Sequence, residues 1–168
     1  MEKQEKFVKA YLQFAKQTEA KTGISAIAIL AQAAVESAWG DVAPGNMFFG
    51  VKDTDGINGN EQLITTTEYS RSATLKFPVI ISIEPVMRKG VKYFKYKVKD
   101  YFRKFDTPEQ SFTMHAQLFL KSRIYKKALL VGKDPMAFID AIALAGYATD
   151  PDYAKTLKSV ARKIKLYV

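Results

Sequence analysis

One glutamate, Glu36, lies in a stretch of the chain that is otherwise almost entirely apolar. The stretch covers residues 24–40 and reads ISAIAILAQAAVESAWG. In a helix of this composition a carboxyl group would lose contact with water, and this loss favours the neutral acid over the carboxylate. A neutral carboxylic acid can donate a proton, so Glu36 is the first candidate for general acid chemistry. A structural glutamate, held by a basic partner or placed at the rim of the core, is the alternative.

Two more side chains with useful chemistry are spaced to share the helical face of Glu36. Gln32 precedes it by four residues and Trp39 follows it by three. Residues three and four apart on a helix are surface neighbours. The sequence therefore predicts an amide, an acid and a flat aromatic ring side by side, with Gly40 ending the helix.

A second carboxylate would complete the minimal equipment for hydrolysing a glycosidic bond. One carboxyl group protonates the leaving oxygen, and the other activates water or stabilises positive charge. The second group must stay ionised, which requires polar surroundings. Glu68, in the Thr-rich segment TTTEY, meets this requirement better than Glu61 in a turn or Glu84 beside Pro85.

Metal and thiol chemistry find little support in the sequence. The chain has no cysteine, and His115 is its only histidine, which we interpret as a helix residue with satisfied nitrogens. The segment DTDGINGN at 53–60 has Ile57 where a calcium loop needs an oxygen ligand and Asn58 where it needs glycine. We therefore predict a simple turn there, and no metal or other cofactor.

The charge of the chain points to polyanionic surroundings. With 26 Lys and Arg against 17 Asp and Glu, the net charge is +9. Nucleic acid, anionic lipid and anionic wall polymers all fit this charge, but no nucleic-acid-binding motif is recognisable. Lys95, Lys97 and Lys99 alternate along one strand, which predicts a solvated face or, as functional alternatives, a contact with anionic wall polymer or with phosphates. The apolar run from Ile24 is too short to span a membrane.

The elements that must position these residues follow from local patterns. The order is two helices, a small β region and several further helices, and 168 residues with 48% hydrophobic content favour one domain. Predicted helices cover about 2–18 (ended by Gly23), 24–40, 135–145 and 151–166, and another begins at Thr107-Pro108. Predicted strands cover about 65–69, 76–83 and 93–99, with a turn at 88–90.

Five segments occur together in an order that resembles glycoside hydrolase family 73, the peptidoglycan N-acetylglucosaminidases of autolysins, flagellum-associated wall hydrolases and phage lysins. They are AQAAVESAWG (31–40), GNMFFGVK (45–52), TEY (67–69), FRKFD (102–106) and GYATDP (146–151). The resemblance covers nearly the whole chain. Two departures are a longer segment at 70–100 and Met114 where relatives often have an acidic residue before the histidine.

The resemblance implies an α+β, lysozyme-like fold that forms a single glucosaminidase catalytic domain over residues 1–168. A mainly helical lobe would comprise about 1–45 and 104–168, a small antiparallel β lobe about 46–103, and a glycan-binding groove would lie between them. The implied reaction is hydrolysis of the β-1,4 bond following N-acetylglucosamine in peptidoglycan. Implied catalytic residues are Glu36 as general acid, Glu68 as second carboxylate and Tyr147, with Gln32, Trp39, Asn46, Phe49 and Tyr153 binding substrate.

Several alternatives stay open at this point. The chain could be a muramidase or lytic transglycosylase acting on the same polymer, or a non-catalytic wall-binding module. The second step could use water activated by Glu68, a covalent intermediate or the acetamido oxygen of the sugar. The expected partner is a peptidoglycan glycan strand, with anionic wall polymers as a further candidate. We expect a monomer in the cell wall, periplasm or exterior, and the charged start indicates a trimmed form or a non-classical route.

Overall fold

A computed structural model describes the whole chain, residues 1–168, as six α-helices and one three-stranded sheet. The helices are α1 (Lys3–Thr22), α2 (Ala26–Glu36), α3 (Pro108–Lys121), α4 (Lys126–Leu129), α5 (Pro135–Leu144) and α6 (Tyr153–Lys165); the strands are β1 (Glu61–Ser70), β2 (Val79–Arg88) and β3 (Val91–Arg103). The chain divides into a helical unit, residues 1–49 and 105–168, and a sheet unit, residues 50–104. The predicted α+β class is confirmed.

Helix α2 occupies the core of the helical unit. It is apolar around nearly its whole circumference, and such a helix is stable only when it is surrounded by other elements. Ala28, Leu30, Ala31 and Ala33 are fully buried, and α2 packs against α1, α3, α5 and α6. No helix of the chain combines the length and the apolar character that crossing a membrane requires.

Helix α1 covers one side of this core with a single apolar stripe. Phe7, Val8 and Ala15 are buried along it. The helix ends at Gly23, whose φ of 75° lies in the left-handed region and whose N–H donates to the carbonyl of Glu19 at 2.8 Å. A glycine in this conformation is a frequent helix terminator, so the predicted end of the first helix is confirmed.

Helices α3 and α5 begin as their sequences predict. The Thr107 hydroxyl accepts a hydrogen bond from the Gln110 N–H at 3.3 Å, and a proline follows the cap. Asp134 caps α5 by accepting from two backbone N–H groups at 3.0 and 3.1 Å. These side chains satisfy N–H groups that the first turn of a helix leaves without partners.

The predicted start of α6 at Pro151 is wrong, because the helix begins two residues later at Tyr153. The carboxylate of Asp150 accepts a hydrogen bond from the N–H of Asp152 at 2.8 Å. This local bond closes a turn before the helix, and a short acidic side chain stabilises such turns as readily as helix caps.

The sheet unit is an antiparallel sheet with strand order β1-β3-β2, so that β3 is central. A tight turn joins β2 to β3 through Lys89 and Gly90, whose φ angles are 50° and 76°. Along β3, Tyr96 and Val98 are buried whereas Lys97 and Lys99 are exposed. The predicted alternation of apolar and lysine side chains is confirmed.

Candidate active site

Glu36 is the last residue of α2, and its side chain is exposed to solvent. The expected burial of this carboxyl group is wrong, because the helix ends at Glu36 and does not continue beyond it. The carboxyl group forms no ion pair and no hydrogen bond within the protein. Glu36 therefore has no structural role in an ion pair.

The chain turns sharply after Glu36. Ala38, Trp39 and Gly40 have φ angles of 52°, 63° and 84°, all in the left-handed region that side chains other than glycine rarely adopt. Trp39 consequently leaves the helical face of Glu36, and that part of the sequence prediction is wrong. Its indole ring instead packs edge-on against Phe7, with ring centroids 5.6 Å apart and planes at 85°.

Tyr147 and Tyr153 have ring centroids 5.4 Å apart, and both hydroxyls lie near enough to Glu36 for its charge to act on them. Burial raises the pKa of the Tyr147 hydroxyl, and the Tyr153 hydroxyl and the Glu36 carboxylate raise it further. Burial likewise raises the pKa of Tyr153 to about 12; a hydrogen bond from Gln32 opposes this effect and the Glu36 carboxylate adds to it. Both phenols are therefore neutral near pH 7 and can donate a proton in a hydrogen bond.

Gln32 joins this pair to the core of the helical unit. Its side chain is 1% exposed. The amide nitrogen donates to the Tyr153 hydroxyl at 3.1 Å, and the amide oxygen lies 3.1 Å from Nε2 of His115. Because an amide oxygen can only accept, Nε2 of His115 carries the proton. The Tyr147 hydroxyl lies 3.5 Å from the same nitrogen, so one network connects the four side chains.

His115 is held neutral and in a fixed orientation. Burial lowers its pKa to about 4, well below neutral pH. Its ring stacks on Phe49 with a centroid distance of 3.7 Å and an angle of 6° between planes. The sequence predicted satisfied nitrogens but not membership of this network. The signal was present, since Phe112, His115 and Phe119 follow at spacings of three and four and so share a buried face of α3.

Asn46 and its neighbours shape the backbone near Phe49. Gly45 and Asn46 both have φ of 56°. The Asn46 amide nitrogen donates to the carbonyl of Phe105 at 2.9 Å, and the Phe105 N–H donates to the carbonyl of Gly45 at 2.8 Å. The side-chain nitrogen of Asn46, a residue that we expected to bind substrate, is therefore engaged within the protein.

Glu68 belongs to the sheet unit and lies near the end of β1. It pairs with Lys52, whose Nζ is 2.9 Å from Glu68 Oε1 and 3.0 Å from Asp100 Oδ2. Burial acts to lower the pKa of Lys52, but hydrogen bonds to the two carboxylates outweigh it, and the pKa is raised. Lys52 thus stays positively charged. The sequence predicted polar surroundings for Glu68 without identifying this lysine.

In the acidic loop at 53–60, Asp55 uses its carboxylate oxygens within the protein. Asp55 accepts hydrogen bonds from the Ile57 N–H at 2.8 Å and the Asn60 amide at 2.9 Å, and it pairs with Arg103 at 2.9 Å. No three acidic or histidine side chains of the chain are grouped so as to hold a metal ion.

A protein-family comparison decides to which class the chain belongs. The model described as "Glucosaminidase: Mannosyl-glycoprotein endo-beta-N-acetylglucosaminidase" matches residues 12–166. The chain belongs to this glucosaminidase family. The match includes both the helical unit and the sheet unit, and it makes the chain a glycoside hydrolase, as the resemblance implied.

Individual members of the glucosaminidase family are similar over most of the chain. Peptidoglycan hydrolase FlgJ of Pseudomonas aeruginosa is 28% identical over an alignment of 170 positions, gaps included. The alignment covers 97% of this chain and 37% of the relative. Exo-glucosaminidase LytG of Bacillus subtilis is 32% identical over 145 residues, which cover 82% of this chain and 43% of the relative. The chain thus spans less than half the length of these curated relatives.

The similarity extends to a solved structure of the glucosaminidase family. The C-terminally truncated glycoside hydrolase domain of Salmonella typhimurium FlgJ is 27% identical, with a TM-score of 0.71. The match covers 97% of this chain and 98% of that one. The chain therefore corresponds to the glycoside hydrolase part of such a protein.

Proposed function

We propose that residues 1–168 form one catalytic domain that hydrolyses the β-1,4 bond following N-acetylglucosamine in peptidoglycan, outside the cytoplasm. The observation that carries the proposal is the exposed, unpaired carboxyl group of Glu36 beside two neutral tyrosine hydroxyls. The names of the relatives, a peptidoglycan hydrolase and an exo-glucosaminidase, support this substrate class.

Glu36 is the proposed general acid. A glycan strand lying over it would bring the glycosidic oxygen to the carboxyl group. The acid then transfers its proton to the glycosidic oxygen as the bond from that oxygen to the N-acetylglucosamine carbon breaks, so that the leaving sugar departs as a neutral alcohol. Protonation by a positioned acid contributes about 10²–10⁴-fold to such a reaction.

Tyr147 and Tyr153 are the proposed donors to the substrate. The Tyr153 oxygen accepts from Gln32, which leaves its own proton free for another acceptor. The acetamido carbonyl of N-acetylglucosamine is an acceptor of suitable chemistry, and Tyr147 could equally hold the attacking water. Fixed donors of this kind act without reorganising during the reaction.

The other residues expected to bind substrate make contacts within the protein. Gln32 uses both ends of its amide within the protein, and Phe49 stacks on His115. Asn46 holds a backbone carbonyl, and Trp39 packs on Phe7. We therefore assign Gln32 and Asn46 to site geometry, while the partly exposed rings of Phe49 and Trp39 remain candidates for sugar contact.

Glu68 is the proposed second carboxylate. Its pairing with the charged Lys52 provides the polar surroundings that an ionised carboxylate needs. Three second steps are compatible with its chemistry: activation of water, formation of a covalent intermediate, or support of attack by the substrate's acetamido oxygen.

Mass spectrometry of digested peptidoglycan tests the reaction. Products are reduced with borohydride, which marks the sugar whose glycosidic bond was cleaved. Release of reduced glucosaminitol supports the proposal, whereas muramitol would indicate a muramidase and anhydro-muramic ends a lytic transglycosylase. Binding of the wall without any reduced product would indicate a non-catalytic module. Glu36→Gln is the matched control, because it removes the acid but keeps the size of the side chain.

A further inference from the structure

One face of the sheet unit carries a row of lysines outside the candidate active site. In the register of the sheet, Lys95, Lys97 and Lys99 of the central strand β3 lie between residues of β1 and β2 that point to the same side. The flanking residues are Tyr69, Thr67 and Thr65 on β1 and Glu84, Ser82 and Val79 on β2. We call these nine residues the lysine face.

The three lysines of this face have no internal counter-ion. No carboxylate oxygen lies within 4.0 Å of their ammonium groups, although Glu84 is directly opposite Lys95 in the register. The opposite side of the same sheet behaves differently, since Lys52 there contacts both Glu68 and Asp100. The positive charge of the lysine face is therefore available to an external anion.

A fourth cation extends the row. The Arg88 guanidinium lies over the Tyr69 ring, 4.3 Å from its centroid, at the Lys95 end of the face. Counting Glu84 as the one acidic residue, the face and Arg88 together carry four positive charges and one negative charge. Thr67 and Ser82 place a hydroxyl on each side of Lys97, and hydroxyls can donate hydrogen bonds to phosphate oxygens.

The regular spacing of the lysines favours a linear polymer as the binding partner. Alternate residues of an antiparallel strand are about 6.8 Å apart, so the row presents charge at regular intervals along a straight line. A polymer with one phosphodiester in each short polyol unit also repeats a single negative charge at regular intervals. A hydroxyl-flanked row of cations is complementary to such a chain.

We infer that the lysine face binds the polyol-phosphate polymers that are attached to peptidoglycan in bacterial walls. The inference rests on the proposed function, since it explains how a peptidoglycan hydrolase is retained on a wall rich in these polymers. The lysine face retains the protein on the wall, whereas bond cleavage depends on the helical unit and Glu68.

The test compares wall sacculi before and after hydrofluoric acid treatment, which removes phosphodiester-linked polymer and leaves the glycan. The variant Lys95→Gln/Lys97→Gln/Lys99→Gln is measured beside the parent chain. The parent should bind untreated sacculi about tenfold more tightly than the variant, with a steeper loss of binding as salt rises. Both should bind treated sacculi equally and release reduced glucosaminitol from them at the same rate.

The variant Lys16→Gln/Lys163→Gln/Lys165→Gln is the charge-matched control, since these three lysines are exposed, unpaired and outside the sheet unit. An equal loss of binding in this control would overturn the inference, because net charge alone would then explain retention. Equal parental binding to treated and untreated sacculi would overturn it as well.

Competition identifies the chemistry of the partner. Purified poly(glycerol phosphate) should displace the parent from untreated sacculi at a lower phosphate concentration than oligothymidylate of the same phosphate number. Equal competition would show a general polyanion patch and would contradict the assignment. Absence of reduced glucosaminitol from treated sacculi would instead refute the proposed function and leave the binding result to stand separately.

Discussion

The side-chain oxygen of Gln32 lies 3.1 Å from Nε2 of His115, and this contact fixes which ring nitrogen of the histidine carries the proton. The other end of the same amide holds the Tyr153 hydroxyl. A buried amide that loses a partner costs about 1–3 kcal/mol. Moving the His115 ring or the Tyr153 hydroxyl away from Gln32 would therefore destabilise the fold.

Glu36→Gln should lower the rate of glycan hydrolysis by about 10²–10⁴-fold, because the amide cannot donate the proton that the leaving oxygen needs. The exposed side chain has no internal partner, so thermal unfolding should be unchanged. Release of reduced sugar ends measures the rate. A variant that keeps more than about a tenth of the parental rate would exclude Glu36 as the acid.

Tyr153→Phe should destabilise the fold more than Tyr147→Phe does. The first change leaves the buried amide nitrogen of Gln32 without its acceptor, at a cost of about 1–3 kcal/mol. The second removes a longer contact of 3.5 Å and should cost less, while lowering kcat if its hydroxyl contacts the substrate. Urea unfolding and steady-state kinetics of both variants separate the effects. Equal free energies of unfolding would argue against the bridging role of Gln32.

Glu68→Gln should lower the rate of hydrolysis, and Asp100→Asn provides a matched comparison. Both carboxylates accept a hydrogen bond from Lys52, at 2.9 and 3.0 Å, so each variant loses a similar ion pair. Only Glu68 is the proposed second carboxylate. If both variants lose the same activity, the ion pair and not the chemistry of Glu68 is responsible, and if Glu68→Gln is silent the assignment is wrong.

The stability of the helical unit should fall as the pH drops from about 6.5 to about 4. His115 has a lowered pKa in the folded chain, so in this window the unfolded chain binds a proton that the folded chain does not. Its contribution is fully present above pH 6.5 and is lost at lower pH, by on the order of 3 kcal/mol at pH 4. Free energies of unfolding at pH 7.5 and pH 4.5 measure this loss.

His115→Gln is the control for the pH effect, since it keeps an N–H donor but does not titrate. Other acidic groups titrate in both proteins, so the difference between the two pH profiles isolates the histidine. Identical profiles for the parent chain and the variant would show that His115 does not titrate with a lowered pKa.

Gly132→Ala should destabilise the chain by about 1–3 kcal/mol. A β-carbon at this position would lie 2.9 Å from the carbonyl oxygen of Gly23, a backbone atom that cannot move aside easily. Gly50→Ala is the control, because a β-carbon there meets nothing within 4 Å. Thermal or urea unfolding compares the two. Equal stability of the variants would mean that the segment around Gly132 adjusts freely.

Local patterns were sufficient for much of the fold. The cap at Thr107, the glycine end of α1 and the alternation along β3 each depend on residues within a few positions of one another. The prediction failed at Trp39, where helical spacing was extended past the end of α2. Backbone packing after Glu36 imposes left-handed conformations there, and side-chain periodicity carries no information about them.

The interactions around Glu36 could not be predicted in the same way. Gln32 is 83 positions from His115 and 121 positions from Tyr153, so their contacts depend on how α2, α3 and α6 pack. Lys52 likewise contacts Asp100 across 48 positions. Nothing in the local sequence distinguishes these partners from other polar residues of the chain.

By itself the sequence determined the composition of α2, the position of its single acid and the strand pattern that collects three lysines on one face. These features follow from spacing along helices and strands, which is a local property. The tertiary structure decided that Glu36 is exposed, that Gln32 and His115 hold the tyrosines beside it, and that Lys52 contacts Glu68. Burial and long-range hydrogen bonds exist only after packing, because each needs atoms from distant segments to exclude water together.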